Sequence, residues 1–228
     1  MKSIFTHVTP WENFLSIHKQ KYLIPKKCPL FKEELLYLSY NRLAHKPSKK
    51  DYNWNENSPV VLYFDSNIYR QSFRFFPFDT GAIISGRFTH SELNNTKVLN
   101  RLSFFTKTTT PFSWIKTKYS VATNYIKCKK PDLAFPNTFV NSVLNETYDS
   151  LEKANNILDY RLTSIECHFK NPISLVSAIT IAVPSEKREE FSKLHFHSNC
   201  KIVYYTDISK NGYLPIDLTN ISNKIFMN

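Results

Sequence analysis

Only three glycines occur in 228 residues, and that scarcity restricts this chain more than any other feature. Glycine supplies the left-handed and close-approach backbone that phosphate-wrapping loops require. The count therefore argues against glycine-rich dinucleotide turns, collagen-like repeats and flexible linkers. The chain is nonetheless 42% hydrophobic and 15% aromatic, enough apolar surface to build a sizeable core, read as one domain over residues 1–228. Lysine and arginine number 30 against 19 acidic residues, a net charge of +11. Such a surplus favours a polyanionic partner, nucleic acid before membrane. No apolar run reaches the length of a membrane span, and the residues after Met1 lack a signal-peptide core. Cys28, Cys128, Cys167 and Cys200 form no CxxC pair, so the expectation is a cytoplasmic protein with free thiols and no membrane contact.

Local patterns outline the elements. Residues 4–9 are β-branched and aromatic, a strand that Pro10 stops. Trp11, Phe14, Leu15 and His18 then recur at helical spacing, with Thr9 as the expected N-cap and Pro10 at the first helical position. His7 and Thr9 thus sit at a strand end facing a helix N-terminus, a favourable place for an anion. Residues 33–40 are apolar but of open type, and residues 44–58 read as loop. Residues 59–64 form a strand, 75–88 carry a turn, 112–125 are helical in pattern, and 138–144 remain open between strand and helix. Residues 161–169 alternate, placing Ile165, Cys167 and Phe169 on one face and Glu166 and His168 on a polar one. A strand over 173–183, a charged helix over 185–194 capped by Ser185, and a strand over 202–206 complete an α+β reading.

Three islands of sequence carry a family resemblance. His7-Val8-Thr9 with Asn13-Phe14, then Leu38-Ser39-Tyr40-Asn41-Arg42, then residues 161–169 followed by Pro172-Ile173, resemble in order and separation the DarT-type ADP-ribosyltransferases. Leu43-Ala44-His45 departs from that family's usual continuation, which points to a divergent branch. The resemblance implies an ADP-ribosyltransferase-like split mixed β-sheet flanked by helices, with NAD as substrate. It implies His7, Thr9, Asn13 and Tyr40 as NAD-binding residues and Glu166 and Arg42 as catalytic ones. Glu166 would stabilise the cation-like ribose, while Arg42 would grip a phosphate or orient the acceptor.

Other patterns compete. Phe78-Asp79-Thr80-Gly81-Ala82 resembles the Asp-Thr-Gly of retroviral-type aspartic proteases, but Pro77 stands where an apolar strand is needed, so a turn with Asp79 bonding its own backbone is expected. His195, His197 and Cys200 lack a fourth metal ligand with convincing spacing, so no metal is expected. Lysines cluster at 19–27, 46–50 and 127–130, with Tyr52, Trp54 and Trp114 near some of them, a pattern suited to stacking on unpaired bases. The implied function is transfer of ADP-ribose from NAD to a base in single-stranded DNA or RNA. The resemblance further implies a toxin or antiphage role and an antitoxin or macrodomain hydrolase as partner, with residues 145–161 recognising the acceptor. An NAD glycohydrolase, a protein-directed transferase and a non-catalytic nucleic-acid-binding module are the alternatives.

Overall fold

The computed structural model describes residues 2–44, 58–81, 95–127, 129–132, 138–153, 163–196, 199–206 and 216–227. Strand β1 (Phe5–Thr9) leads into helix α1 (Trp11–Gln20), and the short strands β2 (Tyr22–Leu23) and β3 (Lys26–Lys27) precede β4 (Glu34–Tyr40). Next come β5 (Val60–Phe64), a 3-10 turn (Ser66–Gln71), β6 (Ser72–Phe76), α2 (Thr96–Asn100), β7 (Phe104–Phe105), α3 (Pro111–Tyr119) and α4 (Ala122–Ile126). Helix α5 (Phe139–Lys153), strands β8 (Ile165–Phe169), β9 (Ile173–Ser174) and β10 (Ala178–Pro184), helix α6 (Arg188–Ser192), β11 (Lys201–Tyr205) and α7 (Ile216–Met227) follow. The architecture is α+β, a central mixed sheet flanked by helices.

Among the described residues the main sheet has nine strands, in the order β11-β10-β5-β1-β4-β8-β6-β7, with β3 joined to β4. Only β10 and β11 pair in parallel; the other pairs are antiparallel. The centre of the sheet is uneven. β1 pairs with β5 at five positions and β4 with β8 at five, yet β1 and β4 meet only at Phe5↔Tyr40 and Thr6↔Ser39. Beyond Thr6 and Ser39 the two strands part, each following its outer neighbour, and the sheet forks.

Several elements differ from the pattern expected of the sequence, for identifiable reasons. Residues 34–40, with three leucines and two tyrosines, lacked a clear period; hydrogen-bonded neighbours on both edges make them a strand. Thr9 does not cap α1: it is the last residue of β1, and Pro10 occupies the N-cap without a side-chain bond. Ser185 likewise lies inside a 3-10 turn preceding α6, whose N-cap is Lys187. The open segment 138–144 belongs to helix α5, as do residues 145–153 of the expected acceptor loop, while 154–162 lie outside the described residues. The helical pattern over 112–125 is cut in two at Ser120, whose φ of 51° no helix accommodates. Trp114, expected as a stacking surface, is a core residue at 4% exposure.

The closed end of the fork is tied by an internal clamp. Ile4 and Asn41 exchange bonds, Ile4 N–H to Asn41 Oδ1 at 2.7 Å and Asn41 N–H to Ile4 O at 2.8 Å, with Asn41 held at a φ of 49°. Asn tolerates that left-handed backbone better than most residues. Arg42 follows, buried at 2% exposure. Its Nε donates to the Tyr125 carbonyl at 2.6 Å, its Nη2 to the same oxygen, and its Nη1 to the Thr163 carbonyl at 2.8 Å and hydroxyl at 2.5 Å. The guanidinium also lies 3.9 Å from the centre of the Tyr125 ring. Arg42→Met keeps the stem but removes every donor, so the buried Tyr125 and Thr163 carbonyls lose the guanidinium bonds. It should lower stability by about 3 kcal/mol, measured as a reduced urea midpoint at unchanged slope.

Candidate active site

The fork opens a cleft of about 510 Å³ between the end of β1, α1, the β2–β3 segment and β4. His7, Thr9 and Asn13 all line it, so three of the four expected NAD-binding residues come together. His7 bridges the prongs: its Nδ1 lies 3.4 Å from the carbonyl of Tyr37 on β4 and donates to it. Burial pushes the imidazole down to about 4, the Tyr37 carbonyl opposes that shift, and the charge of Lys26 adds to it. His7 is therefore neutral at physiological pH, with Nε2 as its acceptor. Lys26 is the one formally charged side chain among the described residues lining the cleft.

Glu166 lies on the adjoining strand. Thr6, Ser39 and Glu166 stand opposite one another across β1, β4 and β8, one row on one face of the sheet. Both faces of β8 are covered and all five of its residues are buried. The polar face expected for Glu166 and His168 is thus polar but interior. Glu166 retains 11% side-chain exposure while His168 has none, so of the two only Glu166 has any contact with the surface.

The carboxylate is held from two sides. The Thr80 hydroxyl donates to Glu166 Oε1 at 2.5 Å, and His168 Nε2 lies 2.7 Å from the same oxygen. Burial pushes Glu166 up to about 7, offset in part by hydrogen bonding with the Thr80 side chain, the Asp79 side chain and the Thr80 backbone, and by the charge of Arg74. Arg74 Nε donates to His168 Nδ1 at 3.1 Å. That bond forces the imidazole proton onto Nε2, facing Glu166. Burial and the Arg74 charge hold His168 well below the usual histidine range, so it is a neutral donor. Arg74 in turn bonds Glu33 at 3.2 Å, and Lys170 reaches the other Glu33 oxygen at 3.0 Å.

Tyr37 joins the two regions. It lines the cleft, and its ring meets the His168 ring edge-on at 4.9 Å and 86°. Burial pushes its hydroxyl upward, helped by a hydrogen bond with Cys28 and the nearby Glu166 charge.

Tyr40 and Arg42 occupy other positions. Tyr40 pairs with Ile165 rather than Glu166, so it projects from the opposite face. There it packs edge-on against Phe5 at 5.3 Å and its hydroxyl bonds Ser3 at 2.6 Å. Arg42 is committed to the Tyr125–Thr163 clamp. Neither lines the cleft. The structure thus places Tyr40 and Arg42 in packing and hydrogen-bonding positions away from the cleft that His7, Thr9 and Asn13 line.

The sequence offered no sign of Arg74 or Tyr37, which sit in apolar runs. Thr80 was conspicuous for an unrelated chemistry. The expected turn is present, with Gly81 N–H bonding Asp79 Oδ1 at 2.8 Å, and it delivers Thr80 to Glu166. Among the described residues no cluster of His, Cys, Asp and Glu could hold a metal; His197 lies outside them. Cys28, Cys167 and Cys200 are free thiols, and no described helix is long and apolar enough to cross a membrane.

No protein-family model and no curated protein matches the chain. Among solved structures it is similar to DarT of Thermus sp. 2.9 in complex with NAD+, at 13% sequence identity and a TM-score of 0.46, the match covering 89% of this chain and 97% of that one.

The Glu166 environment has a thermodynamic signature. Because the folded state binds its proton more tightly than the unfolded one, the associated stability is present below about 4.5 and lost as pH rises through about 7. A rise from 4.5 to about 7 corresponds to roughly 3 kcal/mol. Glu166→Gln escapes that loss, so its stability relative to the native chain should increase across this window. Urea denaturation at both ends of the window checks this; a pH-independent difference would refute the assignment.

Proposed function

We infer that this protein transfers ADP-ribose from NAD to a base in nucleic acid. The observation that carries the reading is the fork: it opens a cleft holding His7, Thr9 and Asn13, and Tyr37 connects that cleft to a buried carboxylate. His7, Thr9, Asn13 and Glu166 are among the residues whose order and spacing resemble the DarT-type transferases. His7, Thr9 and Asn13 supply short polar contacts to the nucleotide, and Lys26 supplies the positive charge that a pyrophosphate requires. Tyr37 takes the place of Tyr40 as the aromatic wall.

The chemistry follows from where charge develops. The bond between ribose C1′ and the nicotinamide nitrogen breaks, its electron pair leaving with neutral nicotinamide and its ribose becoming cation-like. A carboxylate at Glu166 stabilises that charge through the ribose hydroxyls. A nitrogen of the acceptor base then bonds to C1′ and gives up a proton. Glu166, with its affinity for protons raised towards neutrality, is suited to receive it.

Charge supports a nucleic-acid acceptor. Between Glu12 and Glu33 the sequence carries Lys19, Lys21, Lys26, Lys27 and Lys32 and no acidic residue. Tyr22 and Ile24, each 47% exposed, stand among these lysines, and Ile24 lines the cleft. Such a segment offers phosphate contacts and a stacking surface side by side. Modification of the cell's own nucleic acid is toxic, so the reading carries with it a toxin or antiphage role. It also implies a restraining partner, either a macrodomain hydrolase that removes the adduct or an antitoxin that blocks the cleft.

Incubation with NAD and a pool of single-stranded DNA, RNA and protein, followed by mass spectrometry, tests the reading. One ADP-ribose added to a nucleic acid is the expected result; free ADP-ribose without adduct would establish a glycohydrolase instead, and intact NAD would sink both. Glu166→Gln should lower turnover by about a hundredfold or more. Lys26→Ala should raise KM for NAD several-fold with a smaller change in kcat, the pattern of lost ground-state binding.

A further inference from the structure

Four side chains form a line from the surface through the interior, Glu33–Arg74–His168–Glu166. Glu33 is 35% exposed at its side chain, Arg74 8%, and His168 is enclosed. The surroundings are aromatic. Phe31, Phe76 and Tyr37 lie 5.3, 5.0 and 4.9 Å from the His168 ring. The Arg74 guanidinium lies over the rings of Phe31 and Phe73 at 4.4 and 4.9 Å. Buried ionic groups of this kind are not a strong source of stability, because desolvation offsets much of their attraction and well-packed apolar residues can replace them. Their geometry, however, is specific. Arg74 has only donors, so its bond to His168 Nδ1 makes that nitrogen an acceptor and fixes the tautomer. The remaining proton, on Nε2, is aimed at Glu166 Oε1, the atom that Thr80 also engages. Two donors from different elements converging on one oxygen fix the rotation of the carboxylate.

We propose that Arg74 and His168 are positioning residues for Glu166. Arg74 sets the imidazole tautomer, Glu33 anchors Arg74, and His168 presents the resulting N–H to the carboxylate so that it is ionised and oriented when substrate arrives. The titratable and charged groups facing Glu166 are Arg74 on β6, Asp79 on the turn after it, Tyr37 on β4 and His168 on β8 itself. Of these, His168 is the neutral donor whose proton position is set by another side chain. The catalytic meaning of the device rests on the transferase reading; its electrostatic meaning does not, and the two are tested apart.

His168→Phe fits the aromatic cage and removes the donor, whereas His168→Gln retains an N–H able to reach Glu166. Carbon NMR titration of the Glu166 carboxyl should show a midpoint raised by about one pH unit in His168→Phe, with the native midpoint largely restored in His168→Gln. Arg74→Lys keeps the charge but loses the Nε–H donor, and should move the midpoint in the same direction by less. In NAD turnover, His168→Phe should lower kcat by about tenfold or more with KM for NAD changed less than about twofold. The acid limb of its pH profile should rise with the NMR midpoint, and His168→Gln should recover much of the loss. An unmoved midpoint in either His168→Phe or Arg74→Lys overturns the proposal, as does a loss residing in KM. The absence of NAD turnover by the native chain would overturn the transferase reading alone, because the NMR comparison stands without it.

Discussion

Two antiparallel neighbours that stop pairing after two residues organise this molecule. A sheet normally gains by continuing each ladder, since unmade backbone bonds in an interior are costly. Here β1 and β4 part after Thr6 and Ser39 because each has a better-matched outer neighbour, β5 and β8 respectively. The clamp of Ile4, Asn41 and Arg42 holds the other end shut. Closed at one end and open at the other, the sheet produces its own cleft without needing a glycine-rich loop, which accords with a chain that has three glycines.

The same arrangement explains why the catalytic candidate is interior. β8 lies beyond the fork, paired on both edges and covered on both faces, so any polar residue on it must be satisfied by side chains. Thr80, His168 and, one step further out, Arg74 meet that need for Glu166. Burial pushes the carboxyl up while these partners pull it back, and the resulting affinity lies near neutral. An exposed glutamate has no such balance.

Much of this was legible in the sequence, and the exceptions share a cause. β-Branched and aromatic runs marked β1, β5, β8, β10 and β11, because period and composition are local properties. His7, Thr9, Asn13 and Glu166 were singled out by the resemblance to the DarT-type transferases, and the structure puts the first three in one cleft and Glu166 beside it. Tyr40 and Arg42 do not line the cleft, because Tyr40 is packed against Phe5 and bonded to Ser3 while Arg42 is held by the Tyr125 and Thr163 carbonyls, contacts that no local pattern announces. Alternation specifies two faces but not which is covered, and β8 is covered on both. Arg74 and Tyr37 were invisible because their significance arises from cross-strand pairing with His168, over separations that no local pattern encodes.

The two prongs of the fork are not two stretches of chain. One is built from residues 5–20, 60–64, 178–184 and 201–205, the other from 26–27, 34–40, 72–76, 104–105 and 165–169, so the backbone passes repeatedly from one to the other. Contacts of such long sequence separation form late and together, which slows folding and makes it cooperative. A ribosome-bound chain that has not yet emitted β10 and β11 lacks the outer strands that β5 joins, and the wall carrying His7 has no backing. The stacked rings of Phe14, Phe191 and Phe196, which fasten α1 to the C-terminal part, are missing at that stage as well. The cleft is thus completed only after β10 and β11 have been made, and until then the wall carrying His7 stands without its backing.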